Sequence, residues 1–168
     1  MPIRKTVREF KQDLRKFSEK VDRDYAWLMK FASSSLFARI VFRTPVDEGE
    51  AVGNWEVRFT SVGGGLAIAF ELGGGSSSGE APGGQAGTEN AIAQGLAAIE
   101  TITSVNAKKR SVIIINRTPY IRLLEFGGYP GDGPRTIGGY STQAPKGMVR
   151  ISLAELRTEL RTLRYVIH

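Results

Sequence analysis

A helical pattern of apolar residues runs from Thr6 to Arg43, and it is longer than a chain of this size is wide. It opens on a capping box, Thr6-Val7-Arg8-Glu9, in which the threonine hydroxyl can accept from the Glu9 amide while the Glu9 carboxylate reaches back to Thr6. Val7, Phe10, Leu14, Phe17, Val21, Leu28, Leu36 and Ile40 recur at helical spacing on one side, broken only where Tyr25 and Ala32 take intermediate turns. Pro45 ends the pattern because it disfavours helical geometry at Thr44. A helix over 6–43 is about 57 Å long. A compact domain of 168 residues is about 40 Å across. The helix must therefore bend, with Ser33-Ser34-Ser35 as the candidate place, or project beyond its own domain. A projecting apolar stripe needs a partner.

Two strands are expected next, over 54–60 and 66–72, joined as a hairpin across Gly63-Gly64-Gly65. Trp55, Val57 and Phe59 alternate with Glu56 and Arg58, the two-residue period of a half-buried strand. Residues 73–87 hold seven glycines and Ser76-Ser77-Ser78, which reads as a mobile loop. Ile92, Leu96, Ile99 and Ile102 define a short amphipathic helix, in which Gly95 costs about 1 kcal/mol relative to alanine. The β-branched run Ser111–Asn116 reads as a strand central to the sheet.

Thr118 and Pro119 are expected to open a helix as N-cap and first residue, with Tyr120, Leu123, Leu124 and Phe126 on its apolar side and Gly127 as its stop. Residues 127–147, with seven glycines and three prolines, read as a long loop, flexible over 128–143. A closing helix is expected from about Pro145 to Arg164. There Val149, Leu153, Leu156, Leu160, Leu163 and Ile167 alternate spacings of four and three, while Arg150, Arg157, Arg161 and Arg164 share another face. The whole predicts one α+β domain over 1–168: a long N-terminal helix, a small antiparallel sheet with short inserted helices, and a closing C-terminal helix.

Composition narrows the chemistry. There is no cysteine, so disulfides, thiolate metal sites and cysteine nucleophiles are excluded, in keeping with maturation in a reducing cytoplasm. The single histidine is His168, which leaves a His-based triad or a multi-histidine zinc site without material. No run of about 20 apolar residues and no signal peptide is recognisable, so no membrane span is expected. The net charge of +6 divides into +6 over residues 1–43, −7 over 44–106 and +7 over 107–168. Solvated helix faces are the favoured reading of the basic ends, and nucleic-acid binding is the sharper one. An acidic middle between basic ends also suits copies that meet front to back.

Local motifs add little chemistry. Gly75-Ser76-Ser77-Ser78-Gly79 matches G-x-S-x-G, but it lies in a Gly/Ser run with no histidine to take the proton. Asn116-Arg117-Thr118 is a formal glycosylation sequon followed by Pro119, read as accidental. Asp47, Glu48 and Glu50 can offer oxygen ligands to a hard cation or serve a hydrolase, yet a solvated turn after Pro45 is favoured. The arginines of the last helix either contact phosphate or keep that face wet, and the wet face is favoured. No catalytic residue, metal or cofactor is expected. Trp55 and Tyr120 read as core aromatics.

Four stretches taken in order resemble one family. Thr44-Pro45-Val46-Asp47-Glu48-Gly49, followed by Gly53-Asn54-Trp55, is similar to the "TPVDTG…nW" signature of tail-completion (head–tail joining, neck) proteins of long-tailed bacteriophages. Asn116 with Pro119-Tyr120 and Leu124-Glu125-Phe126-Gly127 resembles that family's "N..PYa..lEyG". Gln143-Ala144-Pro145 with Gly147-Met148-Val149-Arg150 resembles its "qaP.gmvr" segment. The likeness spans nearly the whole chain, departing at Glu48 and in the Gly/Ser insert.

The resemblance implies a structural virion protein of the neck rather than an enzyme, with a basic DNA-binding module or a minor tail protein elsewhere in the tail as the alternatives. Its subunits form a ring, usually of six, between head connector and tail tube, through which genomic DNA passes without sequence-specific contact. The implied partners are copies of itself, the adjoining neck ring and the tail tube, and the implied site of assembly is the host bacterial cytoplasm. The signature residues read as fold-specifying: Thr44-Pro45 ends a helix, Gly49 turns the chain toward Trp55, and Ala144-Pro145 starts the closing helix. Arg150, Arg157, Arg161 and Arg164 are the candidate interface or DNA-facing residues. The flexible loops 73–87 and 128–143 are expected to reach above or below the ring plane and to order on docking to the next ring. Deletion of 76–86 then leaves fold and ring intact but impairs head–tail joining, and normal infectious virions from that deletion would defeat the idea.

Overall fold

The computed structural model describes residues 7–46, 50–61, 67–73 and 84–166, with the side chains of 7, 84, 85 and 163–166 outside the description. The long N-terminal pattern is one unbroken helix, α1 (Val7–Arg43), about 56 Å long. It resolves the choice between bending and projecting. Every described side chain from Arg8 to Val21 is exposed, whereas Ala26, Met29, Ala32, Leu36, Phe37, Ile40 and Val41 are buried. The serine run is accommodated within the helix, with Ser33 buried, so it is no bend point.

A short helix, α2 (Glu50–Gly53), leads into β1 (Trp55–Thr60). After β2 (Ile68–Leu72) come α3 (Gly84–Glu100), a 3-10 turn over Ala107–Lys109, and β3 (Ser111–Asn116). The expected hairpin is corrected here. The sheet order is β1-β3-β2, with β1 antiparallel and β2 parallel to β3, so the sheet is mixed rather than antiparallel. The physical reason is burial. In β3 five of six residues are buried, and that doubly covered strand takes the centre, while the alternating β1 and β2 become edges. A parallel neighbour needs a crossover, and α3 supplies it.

The Gly/Ser segment also changes character. Residues 74–83, the Gly75–Gly79 motif among them, lie outside the described residues, but Gly84–Gly87 form the first turn of α3. Gly95 is no idle cost either. A Cβ there would stand 2.1 Å from Phe37 Cε1, so its absence lets α3 lie directly on α1. Ile99 and Ile102 are fully or almost fully buried beneath this contact.

Three further corrections concern the C-terminal third. Helix α4 is Ile121–Phe126, and its N-cap is Tyr120, not Thr118. The Thr118 hydroxyl is buried without a hydrogen-bond partner among the described residues, while the Thr118 amide donates to the Asn116 side chain. The 127–147 stretch holds a hairpin, β4 (Thr136–Ile137) and β5 (Tyr140–Ser141), turned by Gly138 and Gly139 at φ 58° and 78°. Partial burial raises the Tyr129 phenol above its ordinary 10.0. Finally, α5 is Val149–Val166, so Ala144-Pro145 forms a turn ahead of the helix instead of its start. Val149 and Leu156 are buried, with Leu153 and Leu160 half-buried, as the spacing predicts.

Candidate functional site

The motif residues fall into structural joints rather than one reactive cluster. Thr44 closes α1: its amide donates to Val41 O at 3.1 Å and its hydroxyl to Ile40 O at 2.8 Å. The same hydroxyl accepts the indole N–H of Trp55 at 2.8 Å, which fastens the end of α1 to the first residue of β1. Asn54 closes α2, donating its amide and side-chain nitrogen to Glu50 O at 3.2 and 2.7 Å. Asn116, fully buried at the end of β3, donates to Ala51 O at 2.6 Å and accepts from the Thr118 amide at 3.0 Å. Pro119 is exposed and Tyr120 packs half-buried against the core.

The second joint is centred on Glu125, which is 1% exposed. Its Oε2 accepts from the amides of Met148 and Val149 at 2.6 and 2.8 Å, and its Oε1 from Arg150 N at 2.9 Å. A helix begins with unsatisfied N–H groups and a positive dipole end, and this carboxylate supplies both acceptors and charge. That is why α5 starts at Val149. Gly147 makes the approach possible: at φ +73° it has no Cβ, which would lie 2.6 Å from Glu125 O. The Arg150 guanidinium bonds back to Glu125 O and Oε1, and stands 5.4 Å from the Phe126 ring centre, with Arg122 5.8 Å away. Just beyond Glu125, at the C-terminal end of α4, Gly127 (φ +76°) donates to Leu123 O, and a Cβ there would meet the Tyr140 ring at 2.7 Å.

The structure brings two motif segments together. Thr44-Pro45-Val46 and Gln143 to Gly147 line one groove of about 410 Å³, with Phe42, Arg43 and Ile151. Ala144 and Met148 are buried, and Pro145 is exposed. Phe42 and Val46 also border a second, mostly apolar groove of about 660 Å³ completed by Thr88, Glu89, Ile92 and Ala93 of α3. Asp47 and Gly49, with Glu48, lie outside the described residues, so the carboxylate trio is represented only by Glu50.

The charged faces meet in an array that the motifs did not reveal. Arg39 pairs with Glu155 at 3.1 Å and Glu159 at 2.6 Å, and Arg43 with Glu155 at 2.8 Å. The signal was present: an Arg pair and a Glu pair, each four apart, put like charges on one face of each helix. Arg157 and Arg161 are exposed on α5, and the Arg164 side chain lies outside the description. Among the described residues no group of three acidic or histidine side chains is placed to hold a metal ion, and no helix is long and apolar enough to cross a membrane. Glu125, the buried carboxylate of the motifs, is held by three backbone amides and the Arg150 side chain.

Comparison with protein-family models, with curated proteins and with solved structures finds no match to this chain.

Proposed function

We propose that this chain is a structural subunit of a bacteriophage neck, forming a ring of about six copies that joins the head to the tail and lets DNA pass, without turning over a substrate. The observation that carries the reading is the projecting half of α1. Phe10, Leu14 and Phe17 are 57%, 51% and 66% exposed on a helix that leaves its own core behind. An apolar stripe of this kind on an isolated subunit is cover for something else. The described motif residues support the same reading, since Thr44, Trp55, Asn116 and Glu125 all serve to lock one element against another.

The proposal is tested by mass and shape. Light scattering on the purified chain is expected to give about six times the 18.3 kDa of one subunit, and imaging to show a closed ring at the portal-to-tube junction of the particle. Location elsewhere in the particle defeats the neck reading. A DNA-binding module is the second reading, favoured by exposed Arg157 and Arg161. It is weakened because Arg39, Arg43 and Arg150 are already engaged by carboxylates. A monomer that retards DNA in a gel, with affinity falling steeply with salt, would select it.

A further inference from the structure

Two uncovered apolar surfaces sit at opposite ends of one helix. At the N-terminal end is the stripe Phe10-Leu14-Phe17. At the other end Phe42, 72% exposed, and Val46, 46% exposed, border the apolar groove under Ile92. Phe10 precedes Phe42 by 32 residues of continuous helix, a separation of about 48 Å. A rigid rod cannot bring its two ends together, so the stripe of a chain never reaches that chain's own groove. The charges are complementary. The projecting segment 8–23 carries six Lys/Arg against four Asp/Glu, whereas the one charged residue lining the groove is Glu89; Glu100, at the far end of α3, is paired with Lys30.

We infer that the projecting arm of one copy packs into the Phe42–Val46–Ile92 groove of the next copy, a head-to-tail contact repeated around the ring. This rests on the ring reading above and names the surfaces that close it. A head-to-tail contact requires two different, mutually complementary patches on every subunit, and the arm and the groove are such a pair. Opposite net charge orients the approach, and apolar side chains exclude water once seated.

The test uses the full chain with two double variants, Phe10→Glu with Phe17→Glu in the arm and Phe42→Glu with Val46→Glu at the groove. All four positions are exposed, so circular dichroism is expected to be unchanged. Light scattering should give an oligomer larger than a dimer for the natural chain and a monomer for each variant. Mixed in equal amounts, the two variants should form a 1:1 heterodimer, because one intact arm and one intact groove remain between them. A groove variant that still dimerises beside a monomeric arm variant means that arms pair with each other, which overturns the inference. Assembly of both variants like the natural chain overturns it too, and leaves the ring reading standing. Open filaments from the natural chain, replaced by a heterodimer in the mixture, uphold the contact and overturn ring closure. A natural chain that stays monomeric up to its solubility limit overturns the contact, while particle imaging still judges the neck reading.

Discussion

The indole of Trp55 donates to the hydroxyl of Thr44 at 2.8 Å, and that hydroxyl in turn donates to Ile40 O at 2.8 Å. A single buried oxygen thus ends the long helix and anchors the first strand. Thr44→Val keeps the shape and removes the oxygen, leaving the indole N–H unpaired in the core. The expected loss is about 1–3 kcal/mol in urea unfolding. Trp55→Phe at the same joint should cost less hydrogen-bond energy, since Thr44 retains its bond to Ile40. A double variant whose loss falls short of the sum of the two single losses would confirm that one shared bond is at stake.

Glu125→Gln replaces an oxygen that receives helix amides with an NH2 group that repels them. We expect a loss of about 2–3 kcal/mol, together with faster hydrogen exchange at the amides of Met148, Val149 and Arg150. Arg150→Met removes only the half-exposed side of the same cluster and should cost about 1 kcal/mol or less. Equal losses from the two substitutions would mean that the carboxylate is not the cap.

Gly95→Ala reverses the ordinary ranking of helix propensity. Alanine normally gains about 1 kcal/mol over glycine in a helix, but here the added methyl meets the Phe37 ring at 2.1 Å. Overpacking of this kind costs about 1–3 kcal/mol, so a net loss is expected by thermal unfolding. Shrinking the opposing ring in Gly95→Ala/Phe37→Leu should recover part of it. A stabilised Gly95→Ala would show that α3 does not sit this close to α1.

The array of Arg39 and Arg43 with Glu155 and Glu159 is half-exposed, and its strength should be modest. Glu155→Gln is expected to cost about 1 kcal/mol or less at low salt. The difference from the natural chain should shrink as ionic strength approaches 1 M, where the screening length falls to about 3 Å. A larger, salt-independent loss would place Glu155 in a role other than pairing.

Much of the fold was legible in order along the chain. The two terminal helices, the strand at Ser111–Asn116 and the stop at Gly127 follow from local chemistry: apolar period, β-branching, and a residue able to take φ +76°. Two readings failed where the deciding partner is remote in sequence. Pro145 reads as a helix start by local chemistry, but Glu125 gathers the amides of Met148 to Arg150 and sets the start at Val149. The 54–60 and 66–72 segments resembled a hairpin until β3 entered between them.

The length and stripe of α1 were written in the sequence, because periodicity and the absence of a breaker are properties of neighbouring residues. Which half of that stripe is core and which half projects was decided only in three dimensions. Phe17 and Phe37 belong to the same helix, yet only Phe37 has α3 packed onto it, through Gly95. Burial is set by whatever else the chain brings to that surface, and a local pattern records only that the surface is there to be covered.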